Sequence, residues 1–177
     1  MKTLSIIGII VAVLLGAVLI YAATKPDVFR VQRVANIKAP PEKIFPLIND
    51  LHGFGAWSPY EKKDPAMKRT FSGAPSGKGA VYEWDGDKNV GQGRMEISDT
   101  SPPSKVTIRL DFLRPFEAHN MVEFTLAAKG EYTDVTWAMQ GPVTYVAKIM
   151  HVFFDMDSMV GKDFDAGLAN LKTIAEK

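Results

Sequence analysis

The sequence predicts an α+β fold: a curved, seven-stranded antiparallel sheet closed around a long C-terminal helix, with a single transmembrane helix in front. Three observations carry this expectation. Residues 4–23 form an uncharged apolar run, the chain beyond Met67 places apolar residues at every second position, and the chain beyond Pro142 returns them to helical spacing.

The N-terminal run, LSIIGIIVAVLLGAVLIYAA, is long enough as a helix to cross a bilayer core of about 30 Å. Its Leu, Ile and Val residues together favour insertion by about 4–7 kcal/mol on the translocon scale. Residues 1–25 are therefore read as a membrane anchor and residues 26–177 as a folded domain. A cleaved signal peptide is the rival reading, since Lys2 gives a basic start and Ala22-Ala23 are small. Against it, the run exceeds a signal core, and cleavage after Ala23 would put bulky Tyr21 where a small residue is required. Gly8, Ala12 and Gly16 share one helix face, which would admit a second copy of the helix, although such residues are common in any membrane helix. Lys2 on one side and Lys25, Arg30, Arg33 and Lys38 on the other leave the side of the membrane undetermined.

After Pro26 the stretch FRVQRVANIK places Phe29, Val31, Ala35 and Ile37 on one face of a strand. Arg33 interrupts that face, so it either points inward with a partner or marks a bend. PEKIFPLINDL carries Ile44, Phe45, Leu47, Ile48 and Leu51 at helical spacing, with Pro46 limiting the helix to a short or kinked one. Later strands are marked by Ala80, Tyr82 and Trp84; Met95 and Ile97; Val106, Ile108, Leu110 and Phe112; Val122, Phe124 and Leu126; and Val135, Trp137 and Met139. Polar alternates such as Thr107, Arg109, Glu123 and Asp134 give the sheet one wet face. A stripe from Ile149 through Phe153, Met156, Val160, Phe164, Leu168 and Leu171 to Ala175 predicts one long helix, with close packing or a break near Asp157-Ser158 to account for Gly161 and Gly167. YVAKIMHVFF, residues 145–154, is apolar nearly all round. It reads as a buried helix, a lid, or a segment lying at the bilayer surface.

Composition excludes several functions. A net charge of +1 with interspersed signs gives no footprint for nucleic acid, and the chain has no cysteine for a disulfide, a thiolate metal site or a thiol nucleophile. His52, His119 and His151 lie far apart without metal-binding spacing, so no metal and no cofactor is expected. Neither APSGKGA nor VGQGRME has phosphate-loop spacing. Gly91 and Gly93 instead suit sheet curvature. Arg33, Tyr82 and His119 are the groups open to an acid–base role, with Glu83 and Asp111 facing outward by strand parity. No catalytic pair is set by spacing.

The element order, with AWSPYEKKDPAMKRTFSG (residues 56–73), SGKGAVYEWDG (76–86) and MDSMVGKDFDAGLANLK (156–172), resembles the START-like superfamily, also called SRPBCC, in its polyketide cyclase/dehydrase and lipid-transport branch. The resemblance covers about residues 28–176. It implies a helix-grip fold with a hydrophobic cavity between sheet and C-terminal helix, and leaves the chemistry open among carriers, cyclases and domains of unknown ligand.

On that fold Tyr82, Trp84, Met95, Phe112 and Trp137 face inward by alternation and, with Phe153 from the helical stripe, form the expected ligand-binding set. Ordinary core packing would place them the same way. Trp57 and Tyr60, in the turn GAWSPYEKK, are expected at the rim of the grip, where a ring with one polar atom suits a half-wet position. There they either gate the cavity or, for Trp57, plug one end of the core. The expected function is a membrane-anchored domain that binds a hydrophobic small molecule, lipid- or isoprenoid-like. The alternatives are a non-catalytic interaction module at a membrane complex and a cyclase- or dehydratase-like enzyme.

Overall fold

A computed structural model describes residues 2–177, with side chains from Ile6 onward. Helix α1 (Lys2–Ala23) is apolar, exposed to its surroundings along most of its length, and long enough to cross a membrane. Strand β1 (Val28–Ile37) follows, then helix α2 (Pro41–Asn49), whose Pro41 sits in the first turn, where the missing N–H costs nothing. Two short 3₁₀ turns, Gly53–Ala56 and Tyr60–Lys62, carry the chain back across the sheet. Strands β2 (Lys68–Gly73), β3 (Ala80–Asp85), β4 (Gln92–Ser101), β5 (Lys105–Arg114), β6 (Ala118–Lys129) and β7 (Tyr132–Pro142) come next, and helices α3 (Tyr145–Phe153) and α4 (Met156–Ala175) end the chain.

The seven strands form one antiparallel sheet in the order β1-β7-β6-β5-β4-β3-β2. Period-two patterning decides which face is buried: Val106, Ile108 and Leu110 on β5 and Val122, Phe124 and Leu126 on β6 point to the interior. The other face carries ion pairs such as Lys105–Glu123 and Arg94–Glu96. Exposed pairs of this kind stabilise a fold little. Antiparallel pairing gives the sheet two distinct ends. One receives the chain from α1 and also holds the β5–β6 and β3–β4 turns and the exit from β7 into α3. The far end holds the entry to α2 and the β4–β5 and β6–β7 turns.

Helix α4 runs along the concave face beside β1, and its two glycines mark where it presses closest. A Cβ on Gly161 would stand 1.9 Å from Arg33 Nη2, and one on Gly167 would stand 2.6 Å from Trp137 Cζ3. Arg33 faces inward with partners, donating to Asp157 (2.9 and 3.0 Å) and to Asp165 (3.3 Å) on α4. The hydrogen bonds from Arg33 hold the Asp157 carboxyl below its ordinary range.

The single long helix expected from the apolar stripe is two helices. Thr144 accepts from Ala147 N to start α3, and Asp155 accepts from Asp157 N and Ser158 N to start α4. These caps stop the helix at Phe154 although the apolar period runs on, because a cap satisfies amides that periodicity ignores. The break turns Phe153 outward.

Candidate functional site

The concave face is not filled along its whole length. Toward the α1 end a cavity of about 710 Å³ lies between sheet and α4. Its walls are Met95, Ile108, Leu110, Val122 and Met139 from the strands and Met156, Val160 and Phe164 from α4. Its mouth lies among the 60–63 turn, the β3–β4 turn at Asn89-Val90, Ala147 and His151 of α3, and Met159, Lys162 and Asp163 of α4.

A run of aromatic contacts divides this space from the solid core. Phe164 stacks on Trp137 at 4.1 Å, Trp137 meets Trp57 edge-on at 5.5 Å, and Trp57 meets Phe54 at 4.8 Å. Tyr82 and Trp84 stack at 6.0 Å, and Trp84 meets Phe112 at 5.9 Å, edge to face. Rings hold such walls well because each covers a large area with only two side-chain torsions. Trp84 keeps its place by donating its indole N–H to Val90 O (3.1 Å) and by lying over Gly93, whose Cβ would stand 2.3 Å from the ring. Gly93 thus seats a wall ring, and it does so at a register shift between β4 and β5.

Polar groups at the mouth are tied to one another. Tyr82 donates to Glu61 Oε1 (2.6 Å), and Arg69 donates to Glu61 Oε2 (2.6 Å). Burial first, then the hydrogen bond to Glu61, push the Tyr82 phenol well above its ordinary range. Burial and the neighbouring Asp163 carboxylate do the same to Tyr60, and Lys63 pairs with Asp163 at 2.7 Å. Both phenols stay protonated at neutral pH, so they serve as hydrogen-bonding, ring-bearing walls.

The structure brings Tyr60, Tyr82, Trp84, Met95, Phe112 and Trp137 to the cavity. Two expected residues stand elsewhere. Trp57 is 1% exposed and sits in the core behind the wall, donating to Leu47 O (2.9 Å). It is placed as a plug and not as a gate, because α2 offers its indole a carbonyl in the interior. Phe153, 66% exposed, is turned away from the cavity by the α3–α4 break. Among the groups considered for acid–base work, Arg33 is held by α4, and His119 is exposed on the outer face beside Asp111 (2.7 Å). No group of His, Asp and Glu suited to a metal ion occurs among the described residues.

Comparison with known proteins decides the family. The model for polyketide cyclase/dehydrase and lipid transport matches residues 28–176. The chain belongs to that family. Solved structures of the same fold include protein CV1439 from Chromobacterium violaceum (15% identity, 86% of this chain and 99% of that one, TM-score 0.58). The Aha1 dimer from Colwellia psychrerythraea is similar at 16% identity over 84% of this chain and 96% of that one, with a TM-score of 0.60. The di-domain ARO/CYC BexL from the BE-7585A biosynthetic pathway matches at 11% identity over 89% of this chain and 53% of that one, TM-score 0.60. At these identities the likeness establishes the fold alone. No curated protein matches the chain in sequence.

Several residues of the site in this polyketide cyclase/dehydrase and lipid transport family member escape pattern reading. Glu61 and Asp163 look like ordinary surface charges in EKKDP and GKDFD until the fold brings them to the mouth. Asn120 had a signal: it occupies an inward position of β6, in register with Val122 and Phe124.

Proposed function

We propose that the protein is a membrane-anchored START-like carrier that holds one hydrophobic small molecule, lipid- or isoprenoid-like, and takes it from the bilayer that α1 spans. The carbon-walled cavity carries this reading. Its volume falls in the usual range for small-molecule sites, about 300–1,000 Å³. At the rim Glu61 is taken by Tyr82 and Arg69 and Asp163 by Lys63, while most of the wall is carbon.

The bilayer enters through α1 and α3. Tyr145 of α3 donates to Leu19 O at 2.9 Å, and buried Lys148 pairs with Asp27 of the linker at 2.6 Å. Helix α3, which contributes to the mouth, is thereby held against the anchor. Its Val146 (71% exposed), Phe153 and Phe154 are apolar and exposed on the helix that contacts α1, and Phe116 (80% exposed) stands out from the β5–β6 turn at the same end of the sheet. Burying such a surface in the lipid boundary is favourable, and it sets the mouth against the membrane. A catalytic reading would rest on the Tyr82–Glu61 pair; Arg69 already neutralises Glu61, which favours a structural clasp.

The test is direct. Full-length protein purified in lipid nanodiscs is extracted with organic solvent, and the recovered apolar compounds are compared with those of empty discs and of Val122→Phe, whose ring would occupy the cavity. An apolar compound enriched near one per chain, and depleted in Val122→Phe, is expected. Identical profiles for wild type and Val122→Phe would overturn the proposal.

A further inference from the structure

On the inner face of the sheet, one side-chain amide borders the cavity without a hydrogen-bond partner among the described residues. Asn120 is 7% exposed and lines the cavity from β6, two residues before Val122 in the same inward row. Its seat is specific: a Cβ on Gly141 would stand 2.0 Å from Asn120 Oδ1 and 3.1 Å from Phe29 Cε1, so the amide lies over the bare Gly141 backbone, beside the Phe29 ring that also lines the cavity.

The other inward polar groups of the sheet are engaged. Arg33 is held by Asp157 and Asp165, Thr133 donates to Ala39 O at 2.7 Å, Tyr82 donates to Glu61, and the Trp84 indole donates to Val90 O. The Trp137 indole N–H lacks a partner but is sealed within the ring wall. For the Asn120 amide, no hydrogen bond to another described residue is present, and it borders open volume. An amide that no protein group occupies and that borders open volume is free to bond a molecule entering there, whereas a leucine in its place would offer that molecule nothing but carbon.

Resting on the carrier reading above, we propose that Asn120 is the polar contact of the bound molecule, which is therefore an apolar skeleton bearing a single hydroxyl or carbonyl group. The amide offers N–H to a carbonyl and both N–H and C=O to a hydroxyl. A lone polar contact in an apolar pocket fixes the orientation of a ligand that hydrophobic burial alone would leave free to turn end for end.

The three tryptophans, Trp57, Trp84 and Trp137, all belong to the folded core, so a bromine atom entering the cavity reports itself by quenching. Full-length protein in phosphatidylcholine nanodiscs is titrated with 12-bromododecan-1-ol, 12-bromododecan-2-one and 1-bromododecane, in wild type and in Asn120→Leu. Comparing the two proteins in identical discs cancels partitioning of the probe into lipid. Expected is a shift of the half-quenching concentration of the alcohol or the ketone by about 3- to 10-fold to higher values in Asn120→Leu, the worth of one hydrogen bond. The curves for 1-bromododecane should coincide. The arm that shifts more identifies hydroxyl or carbonyl. Coincident curves for all three probes, with quenching in both proteins, would overturn the Asn120 assignment and leave the carrier reading standing. Absence of quenching by any probe in wild type would overturn both. If Asn120→Leu does not fold, Asn120→Val, matching its neighbour Val122, makes the same comparison.

Discussion

The two halves of the space between sheet and α4 are built from the same strands and the same helix, yet one is solid and the other hollow. At the far end Ile37, Ile44, Ile48, Val106, Leu126, Val135, Leu168 and Leu171 meet from sheet, α2 and α4, each at most 5% exposed. Compact aliphatic side chains from three layers interdigitate there. Toward α1 the third layer is missing, because α2 has ended and only the 3₁₀ turns cross the sheet. Large rings then stand as posts around a volume that no side chain fills. Stability is concentrated in one half and the site in the other, with Trp57, Trp137 and Phe164 as the partition.

Adding volume is the strongest way to break that contrast. Val135→Phe at the solid end has nowhere to put its ring, and overpacking of this kind costs about 1–3 kcal/mol or more. Val122→Phe directs the same ring into the cavity and should cost less than about 1 kcal/mol. Urea unfolding of the full chain in nanodiscs, followed by tryptophan fluorescence, measures both. Equal losses would mean that the two halves are packed alike.

Much of this division was legible in the sequence, and its limits have physical causes. Period-two alternation placed Tyr82, Trp84, Met95, Phe112 and Trp137 on the inner face because strand geometry leaves no other choice. It could not place Phe153, since the α3–α4 break depends on Asp155 capping, a local hydrogen bond that outweighs a continuing apolar stripe. Trp57 was visible as a ring in a turn, but whether it gates or plugs depends on Leu47 O, a backbone atom with no sequence signature. Glu61 reached the site through tertiary contact with Tyr82 and Arg69. Gly161 and Gly167 signalled close packing correctly, while the partner each one admits was knowable only from the fold.

Those two glycines sharpen the comparison at the next scale down. Replacing either by Ala gains about 1 kcal/mol of helix propensity. Gly167→Ala pushes a methyl group into Trp137, a ring locked in the partition, so overpacking of about 1–3 kcal/mol should outweigh the gain. Gly161→Ala meets only the end of Arg33, which can swing toward solvent, and the net change should stay within about 1 kcal/mol of zero. Thermal melts of the two variants should separate clearly, with Gly167→Ala the lower. Coincident melts would show that the partition yields as readily as the Arg33 guanidinium.

The smallest expected effect concerns how the hollow end is tied down. Asp27 is exposed, and its carboxyl is held below the ordinary value of 3.8 by the hydrogen bond and charge of Lys148. A carboxyl whose folded pKa is depressed stabilises the fold above its unfolded value and loses that contribution as pH falls through the lowered one. The tie between linker and α3 is therefore intact at neutral pH and is lost only as the pH falls through the depressed value of Asp27, below 3.8. Asp27→Asn should release it at every pH. Hydrogen exchange at pH 7 should show α3 amides exchanging a few-fold faster in Asp27→Asn, with β6–β7 amides of the solid end unchanged. Because Lys148 is buried on the helix that frames the mouth, faster exchange confined to α3 would locate the mobile part of the molecule at the hollow end beside α1. Uniform acceleration across both ends would instead make Asp27 a contributor to global stability and remove α3 as a separately moving element.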